Sequence, residues 1–151
     1  ENISYGREDA SQEEILASAQ TAQAEEFVSA MNDGFAASVS QGGTNLSGGQ
    51  KQRLSISRAL VRRPEIYLFD DSFSALDFKT DAKLRAALKK QTMDATVIVV
   101  AQRVSTVMDA DRIIVLEDGK IVGLGTHREL VRTCAVYREI IASQLSEEEL
   151  A

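Results

Sequence analysis

Leu46-Ser47-Gly48-Gly49-Gln50-Lys51-Gln52-Arg53 is the stretch on which the reading of this chain turns. Two adjacent glycines let backbone approach an anion closely, because no Cβ stands in the way. The residues that follow carry Leu54, Ile56, Ala59, Leu60 and Val61 on one side, which predicts a helix from Ser47 to about Arg62 with a buried face. A helix N-terminus offers unpaired N–H groups and a partial positive charge. Ser47 adds a hydroxyl donor. Together these features make a phosphate cradle. Ser-Gly-Gly also occurs as a plain flexible loop before a helix, so the surrounding sequence decides.

Outward from that point the chain alternates. Arg63-Pro64 ends the helix, since the residue before proline disfavours helical backbone. Ile66-Tyr67-Leu68-Phe69 reads as a buried parallel strand whose carboxyl end, Asp70-Asp71, meets a functional site. A helix is expected from about Lys79 to Lys90, then a second buried strand from Thr96 to Ala101. Asp118-Gly119, between apolar runs at 112–117 and 120–123, is a hairpin turn signal. Upstream, Ser11-Gln12-Glu13-Glu14 matches a capping box, with a helix to about Ala19 and another from Ala24 to Met31. Residues 38–46 read as a loop. Thr126-His127-Arg128-Glu129 is another capping box, and a last helix is expected over 135–144, followed by a frayed acidic end over 146–151. Strands alternating with helices imply an α/β sheet. No internal repeat is visible.

Composition narrows the class. The chain has 151 residues, 44% hydrophobic and 26% charged, with net charge −6. That acidic balance argues against nucleic acid as a partner. The local basic group Lys51, Arg53, Arg58, Arg62 and Arg63 is expected to be mostly a solvated helix face. One cysteine and one histidine exclude a disulfide framework or a Cys/His metal cluster within the chain. Cys134 is expected to pack within a helix, and His127 to be a solvated helix-start residue. The longest purely apolar run, Val97 to Ala101, is far too short to cross a bilayer.

The order of these elements resembles the ATP-binding-cassette (ABC) ATPase family, over nearly the whole chain. Leu46, Ser47, Gly48, Gly49 and Gln50 resemble its signature motif, Ile66–Asp70 its Walker B strand, Ser74, Ala75, Leu76 and Asp77 its D-loop, and Ala101-Gln102-Arg103 its switch loop. Asn2–Gly6 resembles the segment after the family's Q-loop. The resemblance is nearest to bacterial exporters. It implies the C-terminal part of a P-loop NTPase-like α/β core with an inserted helical subdomain, residues 1–63 being that subdomain and 64–151 the core. It implies ATP and Mg²⁺ as cofactors, with Asp70 holding the metal through a water. No Gly-x-x-x-x-Gly-Lys-[Ser/Thr] occurs in the sequence, so the P-loop half is expected upstream. Without it the isolated chain is expected to bind ATP weakly, to turn over essentially none, and to expose apolar surface.

Two departures from the family bear on catalysis. The residue after the Walker B aspartate is usually glutamate; Asp71 is shorter by one carbon–carbon bond, about 1.5 Å. A general base must come within about 2.6–3.2 Å of its water. The switch residue is usually histidine; Gln102 can donate to a phosphate oxygen but cannot titrate as imidazole does. The pair implies a site that binds nucleotide and hydrolyses it poorly. An intact signature motif implies that the chain completes the ATP site of a second, non-identical ABC nucleotide-binding domain. Transmembrane coupling helices are the other implied partner, contacted near Gln41, which replaces a glutamate common in exporters. The implied location is the cytoplasmic face of the membrane. Two alternatives are a non-transport ABC ATPase, of chromosome maintenance or translation, and a regulatory nucleotide-binding module.

Overall fold

The computed structural model describes residues 1–148, with side-chain surroundings through residue 144. These residues form two compact units, divided between Val100 and Ala101.

The first unit opens with a 3-10 turn, Ser4–Gly6, and helices α1 (Gln12–Thr21) and α2 (Glu25–Ser29). The long helix α3 (Gly48–Val61), strand β1 (Ile66–Asp70), helix α4 (Phe78–Gln91) and strand β2 (Thr96–Val100) follow. The capping box at Ser11 forms as the sequence predicts: the Ser11 hydroxyl accepts from the Glu14 N–H, and the Glu14 carboxylate accepts from the Ser11 N–H. Glu14 also pairs with Arg7, and with Arg63 at 3.4 Å. Helix α3 stops where Arg63 takes a left-handed φ of 49° just before Pro64.

Strands β1 and β2 pair in parallel, from Ile66 opposite Thr96 to Asp70 opposite Val100. Beneath them lies one apolar core, in which Ile56, Leu60 and Val61 of α3 meet Tyr67, Phe69, Phe73, Leu84 and Leu88. The Tyr67 and Phe69 rings stack with centroids 5.9 Å apart, since alternate residues of a strand share a face. The expectation of fully buried strands is corrected here. Tyr67 and Phe69 are buried, but Ile66 and Leu68 are 61% and 67% exposed. On β2, Val97, Ile98 and Val100 are exposed as well. On β1 the cause is the pleat: one face of the strand is covered and residues pointing the other way meet nothing among those described, whereas on β2 the neighbours Val97 and Ile98, which point to opposite faces, are both exposed and only Val99 is half-buried. Exposed apolar surface, as expected from the sequence, is the result.

Of the basic group, Lys51, Arg62 and Arg63 are exposed as expected, but Arg53 and Arg58 are not. Arg53 is half-buried, donates to the Gln23 carbonyl at 2.7 Å and lies over the Phe27 ring at 4.7 Å. Arg58 donates to Asn2 at 3.0 Å. Both bind neighbouring chain to α3 rather than forming a solvated face. Residues 38–46 are a loop with internal order. A 3-10 turn spans Gln41–Gly43, Asn45 bridges Ser38 and Ser40, and the Lys51 ammonium donates to the Gly42 carbonyl at 3.0 Å.

The second unit contains α5 (Val104–Val107), strands β3 (Ile113–Glu117) and β4 (Lys120–Gly125), and helices α6 (His127–Thr133) and α7 (Ala135–Glu148). Asp118 and Gly119 both have positive φ, 50° and 73°, the backbone that a two-residue turn between antiparallel strands requires. Gly123 is where β4 approaches the α6–α7 junction: a Cβ there would lie 2.9 Å from Cys134 Sγ. Cys134 is a buried packing residue, but it sits at the break between α6 and α7 with extended backbone, not inside a helix. His127 is likewise corrected. It is half-buried, with Nδ1 2.8 Å from the Tyr137 hydroxyl, because that hydroxyl is itself on a buried ring and takes its partner from the helix start. The short α5 has no counterpart in the sequence reading. Helix α7 continues through Glu148, past the expected fraying point at 146; residues 149–151 lie outside those described.

Glu14 generates a pH prediction. Its hydrogen bond from Arg7, with the Ser11 N–H second, holds its carboxyl down from 4.5 to about 2. A carboxylate depressed on folding contributes stability above its unfolded pKa, and that share is lost as pH falls through the folded one. Denaturant midpoints of the full-length protein and its Glu14→Gln variant should therefore differ at neutral pH and converge between pH 4.5 and about 2. A constant gap across that window would remove Glu14 from the acid response.

Candidate functional site

The tip of α3 is built by its own sequence. The Ser47 hydroxyl accepts from the Gln50 N–H at 3.2 Å, and the Gln50 side-chain oxygen accepts from the Ser47 N–H at 2.9 Å. The Lys51 N–H bonds to the Ser47 carbonyl. The first-turn N–H groups of Gly48 and Gly49 are left with no acceptor inside the helix. They point out of the helix end beside the Ser47 hydroxyl, whose proton remains free to donate. Leu46 packs partly against the core and anchors the entry to the tip. The tip can therefore present two backbone donors, a hydroxyl and the positive end of a 14-residue helix to an anion.

Gly49 has a second reason to lack a side chain. A Cβ there would lie 2.9 Å from the Ala75 carbonyl oxygen. The tip and the turn after β1 are thus in backbone contact. Within that turn, Asp71 takes a left-handed φ of 47°, which aspartate tolerates better than most residues. Its N–H donates to the Val100 carbonyl at 3.0 Å, fixing it to the end of β2. Phe73 and Leu76 are buried and hold the turn down, while Ser74 and Ala75 stay exposed. Asp77 caps α4 by accepting from the Thr80 N–H at 2.9 Å, and its hydrogen bonds with Thr80 hold its carboxyl below the usual range.

Asp70 is the last residue of β1 and is exposed. Asp70 and Asp71 line an open cavity of about 390 Å³ together with Gln52, Ile56 and Leu68. Among the described residues no group of three or more acidic, His or Cys side chains could cage a metal. That donor set suits Mg²⁺ in one mode only: an ion that keeps waters, takes one or two carboxylates, and has phosphate oxygens for its other ligands.

The first unit thus brings together Leu46–Gln50, Asp70, Asp71 and Ser74–Asp77. Gln102 belongs to the second unit. It is exposed there, and its carbonyl accepts from the Gln144 amide at 2.7 Å, while the Gln144 oxygen accepts from the Val104 N–H at 2.9 Å. Two glutamines to which the sequence reading gives no role therefore each pin a candidate segment. Gln144 holds the 102–104 loop. Gln52 holds the Asp71–Ala75 turn, donating to the Asp71 carbonyl at 3.2 Å and to Ser74 Oγ at 3.1 Å and accepting from the Ala75 N–H at 3.1 Å. The only signal available beforehand was a polar residue placed one turn past the glycines, next to the apolar face.

Comparison with known proteins gives a consistent picture. The family model described as ABC transporter matches residues 1–74. An uncharacterised ABC transporter ATP-binding protein of Mycobacterium tuberculosis is 49% identical over 147 residues, 95% of this chain and 25% of the relative. The mitochondrial potassium channel ATP-binding subunit of Rattus norvegicus is 44% identical over 95% of this chain and 20% of its own length. Among solved structures, a bacterial Atm1-family ABC exporter with ATP bound superposes with a TM-score of 0.92 at 39% identity, covering 95% of this chain and 25% of that one. The chain spans about a quarter of the length of the relatives it matches. Motif order, sequence relatives and fold all agree: this chain belongs to the ABC transporter family, within its ATP-binding domain.

Proposed function

We propose that the protein to which this chain belongs is one half of a heterodimeric ABC exporter, and that the chain completes the partner's ATP site while its own site hydrolyses poorly. The observation that carries this reading is the helix tip at Ser47–Gly49, where the Gly48 and Gly49 N–H groups have no acceptor inside the helix and the Ser47 hydroxyl, which accepts from the Gln50 N–H, keeps its own proton to donate. In the head-to-tail pairing of this family, that tip meets the terminal phosphate of a nucleotide seated on the second domain. The fold it shares with an ATP-bound exporter supports the assignment to transport.

The poor site follows from Asp71 and Gln102. Asp71 is placed to line the cavity beside Asp70, but its carboxylate reaches less far than glutamate by about 1.5 Å. Gln102 can hold a phosphate oxygen and cannot exchange a proton. Asp70 would bind Mg²⁺ through water, with the nucleotide supplying other ligands. The P-loop and the adenine-stacking residue come from the part of the protein beyond this chain, which also covers the exposed side of β1 and β2; alone, the chain turns over essentially no ATP. Functionally the division falls near 63–64, between a helical subdomain bearing the signature motif and the C-terminal part of the ATPase core. The domain works at the cytoplasmic face of the membrane, against the coupling helices of a transmembrane domain near Gln41.

Two substitutions test this in the full-length protein assembled with its partner. Asp71→Glu combined with Gln102→His should raise single-site hydrolysis at this chain's own site by about tenfold or more, the scale of a restored general base. Unchanged turnover at that site would show that neither residue limits it. Ser47→Ala should lower turnover at the partner's site by about a hundredfold or more, the scale of one lost transition-state donor. A partner site indifferent to Ser47 would rule out action in trans. Strong ATPase activity of the full-length protein without any partner would contradict the impaired-site reading.

A further inference from the structure

We propose that Gln52 is a positioning residue that locks the turn carrying Asp71 and the D-loop to the signature helix, so that the anion-facing tip and the turn move as one body. The inference rests on the reading of the Ser47–Gly49 tip given above, and it concerns a residue that motif matching does not assign.

A single side-chain amide makes three hydrogen bonds to one turn that lies 19 to 23 residues away in sequence. Its orientation is fixed at both ends. Nε2 faces the Asp71 carbonyl, which can only accept, and Oε1 faces the Ala75 N–H, which can only donate. A flipped amide would lose both. Ser74 closes the network, its hydroxyl donating to the same Asp71 carbonyl at 3.1 Å. The turn needs such a tie. It has no regular structure between the end of β1 and the start of α4, and Asp71 sits in left-handed backbone. Its buried anchors, Phe73 and Leu76, hold its underside but not the exposed Ser74-Ala75 edge. On that edge Gly49 lets the Ala75 carbonyl oxygen come within the space of a missing Cβ. Gln52 lies three residues further along the same helix, about one turn from Gly49, and so holds that contact from beside it. If the clamp opens, the helix tip and the carboxylate after β1 lose their fixed separation, although neither loses any of its own donors or acceptors.

Such a residue should affect turnover more than binding. In the full-length protein assembled with its partner, Gln52→Met removes the donor and the acceptor at similar volume, and Gln52→Glu keeps the acceptor alone. We expect Gln52→Met to lower kcat about tenfold, as small misplacements of reacting groups do, with the KM for ATP within about twofold. The thermal midpoint should be unchanged, and the Ala75 amide should exchange faster with solvent. Gln52→Glu should keep that amide protected and lose less of kcat. The proposal is overturned if kcat changes by less than about twofold with Ala75 exchange unaltered, or if kcat, KM and the thermal midpoint shift together. Ser47→Ala, assayed alongside, separates the two claims. A response to Ser47→Ala without one to Gln52→Met removes only the clamp, whereas indifference to Ser47→Ala removes the reading beneath it.

Discussion

The contact on which the rest depends is the approach of Gly49 to the Ala75 carbonyl oxygen. A side chain at 49 would place its first carbon 2.9 Å from that oxygen. The glycine therefore serves two purposes at once. It leaves backbone N–H groups bare at the start of a helix, and it lets the turn after β1 lie directly against that helix. The parallel pair β1–β2 sets the height of the turn, because the Asp71 N–H is bonded to the end of β2. Phe69, Phe73 and Leu76 then fasten it to the core shared with Ile56 and Leu60. Sheet, turn and helix tip thus form one connected arrangement.

This arrangement explains how a helix start is held in place with open donors rather than left as a frayed end. The capping box between Ser47 and Gln50 satisfies the Gln50 N–H, and the Ser47 carbonyl takes the Lys51 N–H. The remaining donors belong to the two residues that have no side chain to screen them. Behind the tip, Arg53 ties α3 to Gln23 and Phe27, and Arg58 ties it to Asn2. A helix braced along its length can hold its N-terminus in place against the pull of an anion. Arginine suits this use, since its planar fork can span two neighbouring backbone segments.

Much of the architecture was legible in the sequence, and the failures have physical causes. Capping boxes at Ser11 and Thr126, the helix start at Ser47, the stop at Arg63-Pro64 and the turn at Asp118-Gly119 all appear as read, because each is decided by residues within a few positions of one another. Strand burial was misjudged because an apolar run such as Ile66–Phe69 does not say how many of its faces will be covered. His127 and Cys134 were misplaced because their surroundings come from other elements, Tyr137 downstream for one and Gly123 upstream for the other. At the candidate site, the motifs point to Ser47, Asp70 and Asp77 as candidates. They were silent on Gln52 and Gln144, whose partners are separated from them by 19 to 42 residues and are largely backbone atoms. Backbone partners leave no trace in side-chain identity, so no motif records them.

The most direct measurement is a structure of the full-length protein assembled with its partner and trapped with ATP and Mg²⁺. The account predicts the Ser47 hydroxyl and the Gly49 N–H within hydrogen-bond distance, about 2.7–3.2 Å, of the terminal phosphate of the nucleotide seated on the partner. A trapped assembly in which this tip faces solvent, remote from any phosphate, would contradict it.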